Sequence, residues 1–406
     1  MKKGLLLSVV ASGLIYAGGD IAPVAPVQPT AAPAACDFYG SLGARYEFIK
    51  DNSSANKWGK EDNTWKTTLV LGVNKELGYG FGFGAEVAAT TDLGLDIATP
   101  KYGEDAELSQ LFLTYKAGNT AIKAGRQALP KSLSPWAWTD STVGRLDTTY
   151  QGVVIVNTDL PDTTLVGAWI AQAGDKASFT KINGSNKGLY MLAAQYKGFA
   201  NTTLTGSVYF IPKNDSNGKA ISAWGSVESK VNNFDLGLQV AYAKAKAGSI
   251  AQVGAGTKAT IGVAGYVGTN FNGLDAKLTL AYIKNGNATL NLGGTSGFWG
   301  NVGYSNFGGD VKMAGDFAGN SAKQKIAKLD LGYKLPNDYG KVYAGVAYDK
   351  VSSSTVWDKS IAARVGYSFT VKGVKAKVEY RYTKNSPVGG NDIKIQKVRV
   401  EGIYKF

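Results

Sequence analysis

The chain has 406 residues, with 52 glycines, 22 tyrosines, one cysteine and no histidine, and a formal charge of +13. That length suits one large all-β domain, and a lone Cys36 offers no internal disulfide framework. Without histidine the usual general base and the usual zinc ligand are missing, so enzyme chemistry is not expected. The basic balance admits nucleic acid, anionic lipid or anionic solutes, but Lys and Arg are spread along the chain rather than run together with aromatics, which disfavours nucleic acid.

Residues 1–17 open with Lys2 and Lys3, continue through an apolar stretch from Leu5 to Tyr16 and end at Ala17. This is the pattern of a secretory signal peptide, and the apolar run is too short to span a bilayer comfortably. Residues 18–36 are rich in Ala and Pro, with Pro23, Pro26, Pro29 and Pro33 at near-regular spacing. They are expected to form an extended periplasmic lead-in, with a disordered spacer as the plainer reading. Cys36 follows AAPAA rather than a tight lipobox, so lipidation is not expected.

From Asp37 the chain alternates with the period of a strand. Phe38, Leu42, Ala44, Tyr46 and Phe48 share one parity, and Tyr39, Ser41, Arg45 and Glu47 the other. The same reading gives strands near 63–77, 79–92, 105–117, 118–127, 150–159, 162–173, 188–199, 202–211, 219–231, 232–245, 257–270, 271–285, 321–334, 338–350, 358–371, 372–384 and 393–406. Near 105–117, 150–159 and 162–173 both parities carry apolar residues, and the faces stay open. Short joints alternate with long polar ones, and residues 37–406 are therefore expected to form an all-β transmembrane antiparallel β-barrel of about eighteen strands. Outward aromatics sort by strand end: Tyr46, Trp65, Tyr242, Tyr282, Tyr348 and Tyr382 towards the long loops, and Phe81, Tyr196, Phe234, Tyr333, Phe369 and Tyr404 towards the short turns. Core aromatics of a soluble β-fold would not sort this way.

A cylinder of that size leaves a water-filled lumen, so permeation is the expected role. Its narrowing is assigned to the third long loop, residues 127–150, with Trp136, Trp138, Asp140, Arg145 and Asp147. Folded into the lumen, the tryptophans would pack on the wall while the carboxylates faced the opening; the alternative is a cap over the mouth. Arg45, Arg364, Arg381 and Arg399 share the inward parity at similar distances from the short-turn rim, joined by Lys66, Lys377 and Lys397. This basic wall is expected to set a transverse field facing the third loop; the alternative is that Glu47, Glu379 and Glu401 pair with it and it only solvates the lumen. Asp92, Asp96, Glu104, Asp105 and Glu107 could offer oxygens to calcium, but without EF-hand spacing a solvated acidic loop is preferred and no metal or other cofactor is placed. The segment from Asn285 to Gly319, with Phe298, Trp299, Tyr304 and Phe307, reads as loop.

The GGDIAP start after the leader, the CDFYGSLGARYEF first strand, AGRQALP before the third loop and the VRVEGIYKF ending resemble the Campylobacter-type major outer membrane porin family of Gram-negative general porins. The resemblance implies an eighteen-stranded barrel, a homotrimer, and constriction by the third loop. It also implies calcium in the pore of some relatives, which cannot be transferred to residues here. The expected partners are outer-membrane lipid and lipopolysaccharide around the wall, and the barrel assembly machinery at the terminal Phe406. The reading is an outer-membrane porin for passive diffusion of small hydrophilic solutes and ions. The alternatives are a solute-specific channel for anionic or carboxylate substrates and a surface adhesin barrel.

Overall fold

The computed structural model describes residues 36–52, 63–92, 105–130, 132–134, 137, 148–174, 179–214, 218–245, 258–285, 323–352 and 357–406. The leader, the lead-in up to residue 35 and the Phe298, Trp299, Tyr304 and Phe307 segment lie outside the described residues. The strands in chain order are β1 (Asp37–Asp51), β2 (Asn63–Gly78), β3 (Phe81–Asp92), β4 (Asp105–Ala117), β5 (Thr120–Gln127), β6 (Thr149–Asn157), β7 (Thr163–Gly174), β8 (Thr180–Lys181), β9 (Leu189–Tyr196) and β10 (Thr202–Ile211). They continue with β11 (Ala220–Val231), β12 (Phe234–Ala245), β13 (Thr260–Phe271), β14 (Leu274–Lys284), β15 (Lys323–Lys334), β16 (Lys341–Ser352), β17 (Trp357–Val371), β18 (Val374–Pro387) and β19 (Ile393–Lys405).

Each strand pairs antiparallel with its neighbour in sequence, apart from the step over β8. That two-residue strand touches only Gln172 and Ala173 of β7, and β7 pairs directly with β9 along Thr163–Ile170. Eighteen long strands therefore carry the ring, and β8, with a 3-10 turn at Ile182–Gly184, is local structure inside what reads from sequence as the loop 174–187. The ring closes where β1 meets β19, with Ser41 opposite Lys405 and Asp51 opposite Ile395. Beyond that pairing, Gly40 and Phe406 exchange both backbone hydrogen bonds, at 2.8 and 3.0 Å. The Phe406 ring lies over Gly40, so that a Cβ there would sit 2.6 Å from it.

The sharp reversals follow from residues that accept a left-handed backbone. At Tyr79-Gly80, Asn272-Gly273 and Lys372-Gly373 both central residues have positive φ, as a type I′ hairpin turn needs to match the strands' twist. Leu335–Gly340 instead closes through a 3-10 turn over Pro336–Asp338.

Side chains sort as the alternation requires. Leu42, Leu71, Leu113, Leu192, Leu238, Leu280 and Val346 are exposed on the outer surface, where a soluble protein would place charge. Phe81, Phe234, Tyr333 and Tyr404 are exposed near the short-turn ends, and Tyr242 and Tyr348 near the long-loop ends. Tyr46 and Trp65, directly opposite on β1 and β2, pack with their ring centres 5.4 Å apart and their planes tilted by 48°.

The strands with unclear faces have two physical explanations. In β4 the register slips between Glu86–Gln110 and Val87–Leu108, so Ser109 bulges and parity changes within the strand. Leu111, Leu113 and Tyr115 point out, as does Leu108, while Phe112 and Gln110 are buried on the inner side. A second slip separates Gln151–Gln172 from Gly152–Ile170 on β6 and β7. Both parities of β6 and β7 are apolar because the inner residues Tyr150, Val154, Val166 and Ile170 belong to a dry cluster.

Candidate functional site

Inside the ring, register turns the predicted basic wall into three rows running across neighbouring strands. The first joins Arg364, Arg381 and Lys397 on β17, β18 and β19. The second joins Tyr343, Gly366, Glu379, Arg399 and Glu47 on β16, β17, β18, β19 and β1. The third joins Lys377, Glu401, Arg45, Lys66 and Asp92 on β18, β19, β1, β2 and β3. The arginines thus share the inward parity, but only Arg364 and Arg381 lie directly opposite each other. Arg399 and Arg45 each step one row further towards the short-turn rim, because equal distance from a rim is not equal register when the strands are sheared.

The carboxylates of the second row lie between the cations. Arg399 Nε and Nη2 both reach Glu47 Oε1, while Lys397 and Arg45 each approach Glu47 at 3.9 Å. Glu47 is only 5% exposed, so one buried carboxylate serves three cations. Arg381 pairs with Glu379, and Arg364 reaches Glu379 at 4.0 Å and Asp330 at 2.9 Å. Lys377 pairs with Glu401 at 3.3 Å, and Lys66 with Asp92 at 3.9 Å. Every basic side chain has an acid partner, yet the named cations outnumber the named carboxylates of the three rows. Arg364, Lys377 and Glu379 open on a cavity of about 760 Å³, lined also by Glu228 of β11, Asp235 of β12 and Lys277 of β14.

Trp136, Trp138, Asp140, Arg145 and Asp147 lie outside the described residues. The flanks of the third loop are described. Ala128 N–H donates to Gln110 Oε1 at 3.0 Å, and Arg126 on the same flank donates to Thr149 Oγ1 of the opposite flank at 2.7 Å while pairing with Glu107. Both stalks are therefore fastened to the wall. Ser134 N–H donates to the Pro130 carbonyl and Ala137 N–H to the Ser134 carbonyl, each at 3.1 Å. Leu129, Leu133 and Ala137, the last 0% exposed, join one buried cluster with Tyr150, Ile170 and Met191. The Ser134 hydroxyl lies 3.3 Å from Met191 Sδ. Met191 shares the parity of the buried Leu189 and Ala193, opposite to the exposed Tyr190 and Leu192.

Of the acidic residues weighed for calcium, Asp92 faces Lys66 and Glu107 is held by Arg126, while Asp96 and Glu104 lie outside the described residues. Among the described residues no group of three or more His, Cys, Asp or Glu could hold a metal ion.

Sequence reasoning missed a cross-strand device. Tyr39, Gly72 and Glu86 stand directly opposite one another on β1, β2 and β3, and Tyr343, Gly366 and Glu379 on β16, β17 and β18. In each case the ring fills the space where the glycine has no side chain, and the hydroxyl reaches the carboxylate beyond. Tyr39 donates to Glu86 at 3.1 Å and Tyr343 to Glu379 at 2.9 Å. Tyr266 covers Gly237 with Glu228 next in the row, a third instance of the same order. The available signal was a glycine on the inward parity of a strand whose neighbour carries an inward tyrosine, but only the register shows that the two meet.

No family model matches the chain, and no curated protein matches it. Solved structures do. The outer membrane protein opdK from Pseudomonas aeruginosa superposes with a TM-score of 0.65 at 15% identity, over 91% of this chain and 99% of that one. Acinetobacter baumannii OccAB1 gives 0.66 at 12% identity, over 91% and 97%. Pseudomonas aeruginosa OpdK crystallised with vanillate gives 0.63 at 15% identity, over 91% and 99%. At these identities the likeness establishes the fold: a closed antiparallel barrel of eighteen strands.

Proposed function

We propose that the chain is an outer-membrane porin that passes small hydrophilic solutes and ions by passive diffusion and prefers anions. The carrying observation is the division of its wall. Exposed Leu, Val, Ile and aromatic residues occupy the outward parity of the closed ring, and Arg, Lys, Glu, Asp and Gln the inward parity. A polar interior in so wide a barrel calls for water, and water there gives a path. The third loop lies in the lumen on this reading, supported by the burial of Leu129, Leu133 and Ala137 with inward Met191. The excess of Arg and Lys in the three rows supplies the anion preference.

The second reading is a channel specific for carboxylate solutes. It is favoured by the concentration of guanidinium groups on β17, β18, β19 and β1, and is in keeping with the vanillate, an aromatic carboxylate, of the OpdK crystal. Membership of the Campylobacter-type porin family, a homotrimeric assembly and contact with lipopolysaccharide remain part of the proposal, supported by the quoted sequence motifs and the apolar outer surface.

Swelling of liposomes loaded with the refolded protein tests the first reading against the second. Entry of neutral sugars at rates graded by size supports diffusion. Exclusion of small sugars with uptake of carboxylates would transfer the argument to the specific channel, and no uptake of either would refute both.

A further inference from the structure

The arginine rows rest on carboxylates, and the carboxylates have their own supports. Glu379 is nearly inaccessible, and its two oxygens divide the work: Oε1 takes Arg381, while Oε2 accepts from the Tyr343 hydroxyl at 2.9 Å and lies 4.0 Å from Arg364. Tyr343 itself has little freedom. Its ring occupies the place of a side chain at Gly366, and a Cβ there would collide with the ring carbons and the hydroxyl. The Arg364 guanidinium lies over the same ring, 5.4 Å from its centre. One tyrosine therefore touches the backbone of β17, the acid of β18 and the cation of β17.

We propose that Tyr343, seated on Gly366, is a specificity-determining positioning residue of the channel: it pins Glu379 to the wall. Pinned there, the carboxylate neutralises the buried Arg381 and one flank of Arg364, and leaves the Arg364 side chain, 18% exposed on the cavity, to face passing solutes. Released, it reaches the lumen's water and adds a mobile negative charge that attracts cations. The order Tyr, Gly, Glu recurs in Tyr39, Gly72 and Glu86, where the acid's second partner is the Ser109 hydroxyl at 2.6 Å rather than an arginine. The device is a general carboxylate holder in this barrel, and on β16 to β18 it is coupled to the basic rows.

This inference rests on the channel reading above, and the test separates the two. The reversal potential of the full-length protein is measured in a KCl gradient across a planar bilayer for wild type, Tyr343→Phe, Glu379→Gln and the double variant. Tyr343→Phe keeps the ring over Gly366 and removes only the donor, and unboiled gel mobility confirms that each barrel is folded. The expected result is a roughly twofold fall in anion-to-cation permeability for Tyr343→Phe, the scale of one screened charge entering the lumen. Glu379→Gln is expected to raise the ratio, and Tyr343→Phe to have no further effect in that background. An anion-selective wild type whose ratio is unchanged in Tyr343→Phe, or changed equally with and without Glu379, overturns the positioning role while leaving the channel intact. A wild type without conductance overturns the channel reading itself.

Discussion

Replacing Glu47 by Gln removes the charge on which Arg399, Lys397 and Arg45 converge and changes almost nothing in shape. At an effective dielectric constant near 20, two unit charges about 4 Å apart attract by roughly 4 kcal/mol. Three such contacts do not add, because burying Glu47 and its partners has already cost much of their hydration. Removing one member of a buried ionic cluster destabilises by about 3–5 kcal/mol, and water reaching the lumen places Glu47→Gln near the lower end, at about 3 kcal/mol. The pair Lys377–Glu401, at 3.3 Å with side chains 29% and 19% exposed, serves as the internal comparison. Glu401→Gln is expected to cost no more than about 1 kcal/mol, as exposed pairs do. Both are measured by reversible urea unfolding of protein refolded into lipid vesicles, followed by tryptophan fluorescence. If the two variants lose equal stability, or if Glu47→Gln loses less than about 0.5 kcal/mol, Glu47 is a solvated surface acid and the argument for a shared counter-ion fails.

Further consequences can be checked separately. Leu133, 2% exposed in the cluster with Met191, anchors the third loop, so Leu133→Ala should cost about 2–4 kcal/mol of local packing and raise single-channel conductance; unchanged conductance would dissociate the loop from the constriction. Leu238, in the middle of β12 and 53% exposed, faces outward, where the proposed porin meets lipid, so Leu238→Arg should destabilise the vesicle-inserted barrel by about 2–4 kcal/mol, whereas a neutral effect would place that face in water. Lys384 and then Ser386 bind Asp392 in the loop after β18 and hold its carboxyl below the usual carboxylate range. A depressed folded-state value contributes stability that is present above the unfolded value and lost as pH falls through the folded one. A carboxyl carbon resonance that disappears in Asp392→Asn should therefore titrate below ordinary aspartates, and titration at or above them contradicts the contact.

The barrel was legible because its rule is local. Alternation such as Phe38, Leu42 and Ala44 against Tyr39, Ser41 and Arg45 needs no knowledge of the neighbouring strand, and turn residues such as Asn272-Gly273 mark its ends. It became ambiguous where a long-range fact intervened. The bulge at Ser109 changes parity in the middle of β4, and the inner faces of β6 and β7 are apolar only because Leu129 and Leu133 cover them. The charged wall was legible as a set of residues but not as a set of contacts. Glu47 and Arg399 are at opposite ends of the chain, and only closure of β1 on β19 makes them partners. Tyr343, Gly366 and Glu379 were invisible for the same reason: their order exists across strands, not along one.

The most direct measurement is single-channel recording of the purified protein in a planar bilayer, in symmetric and then graded KCl. The expected result is discrete open-channel steps whose current rises in proportion to voltage, and a reversal potential on the anion side that moves towards zero when Arg364 and Arg381 are both replaced by Gln. A folded, inserted protein that gives no conductance steps would contradict the water-filled lumen, and a cation-side potential in wild type would contradict the role assigned to its basic rows.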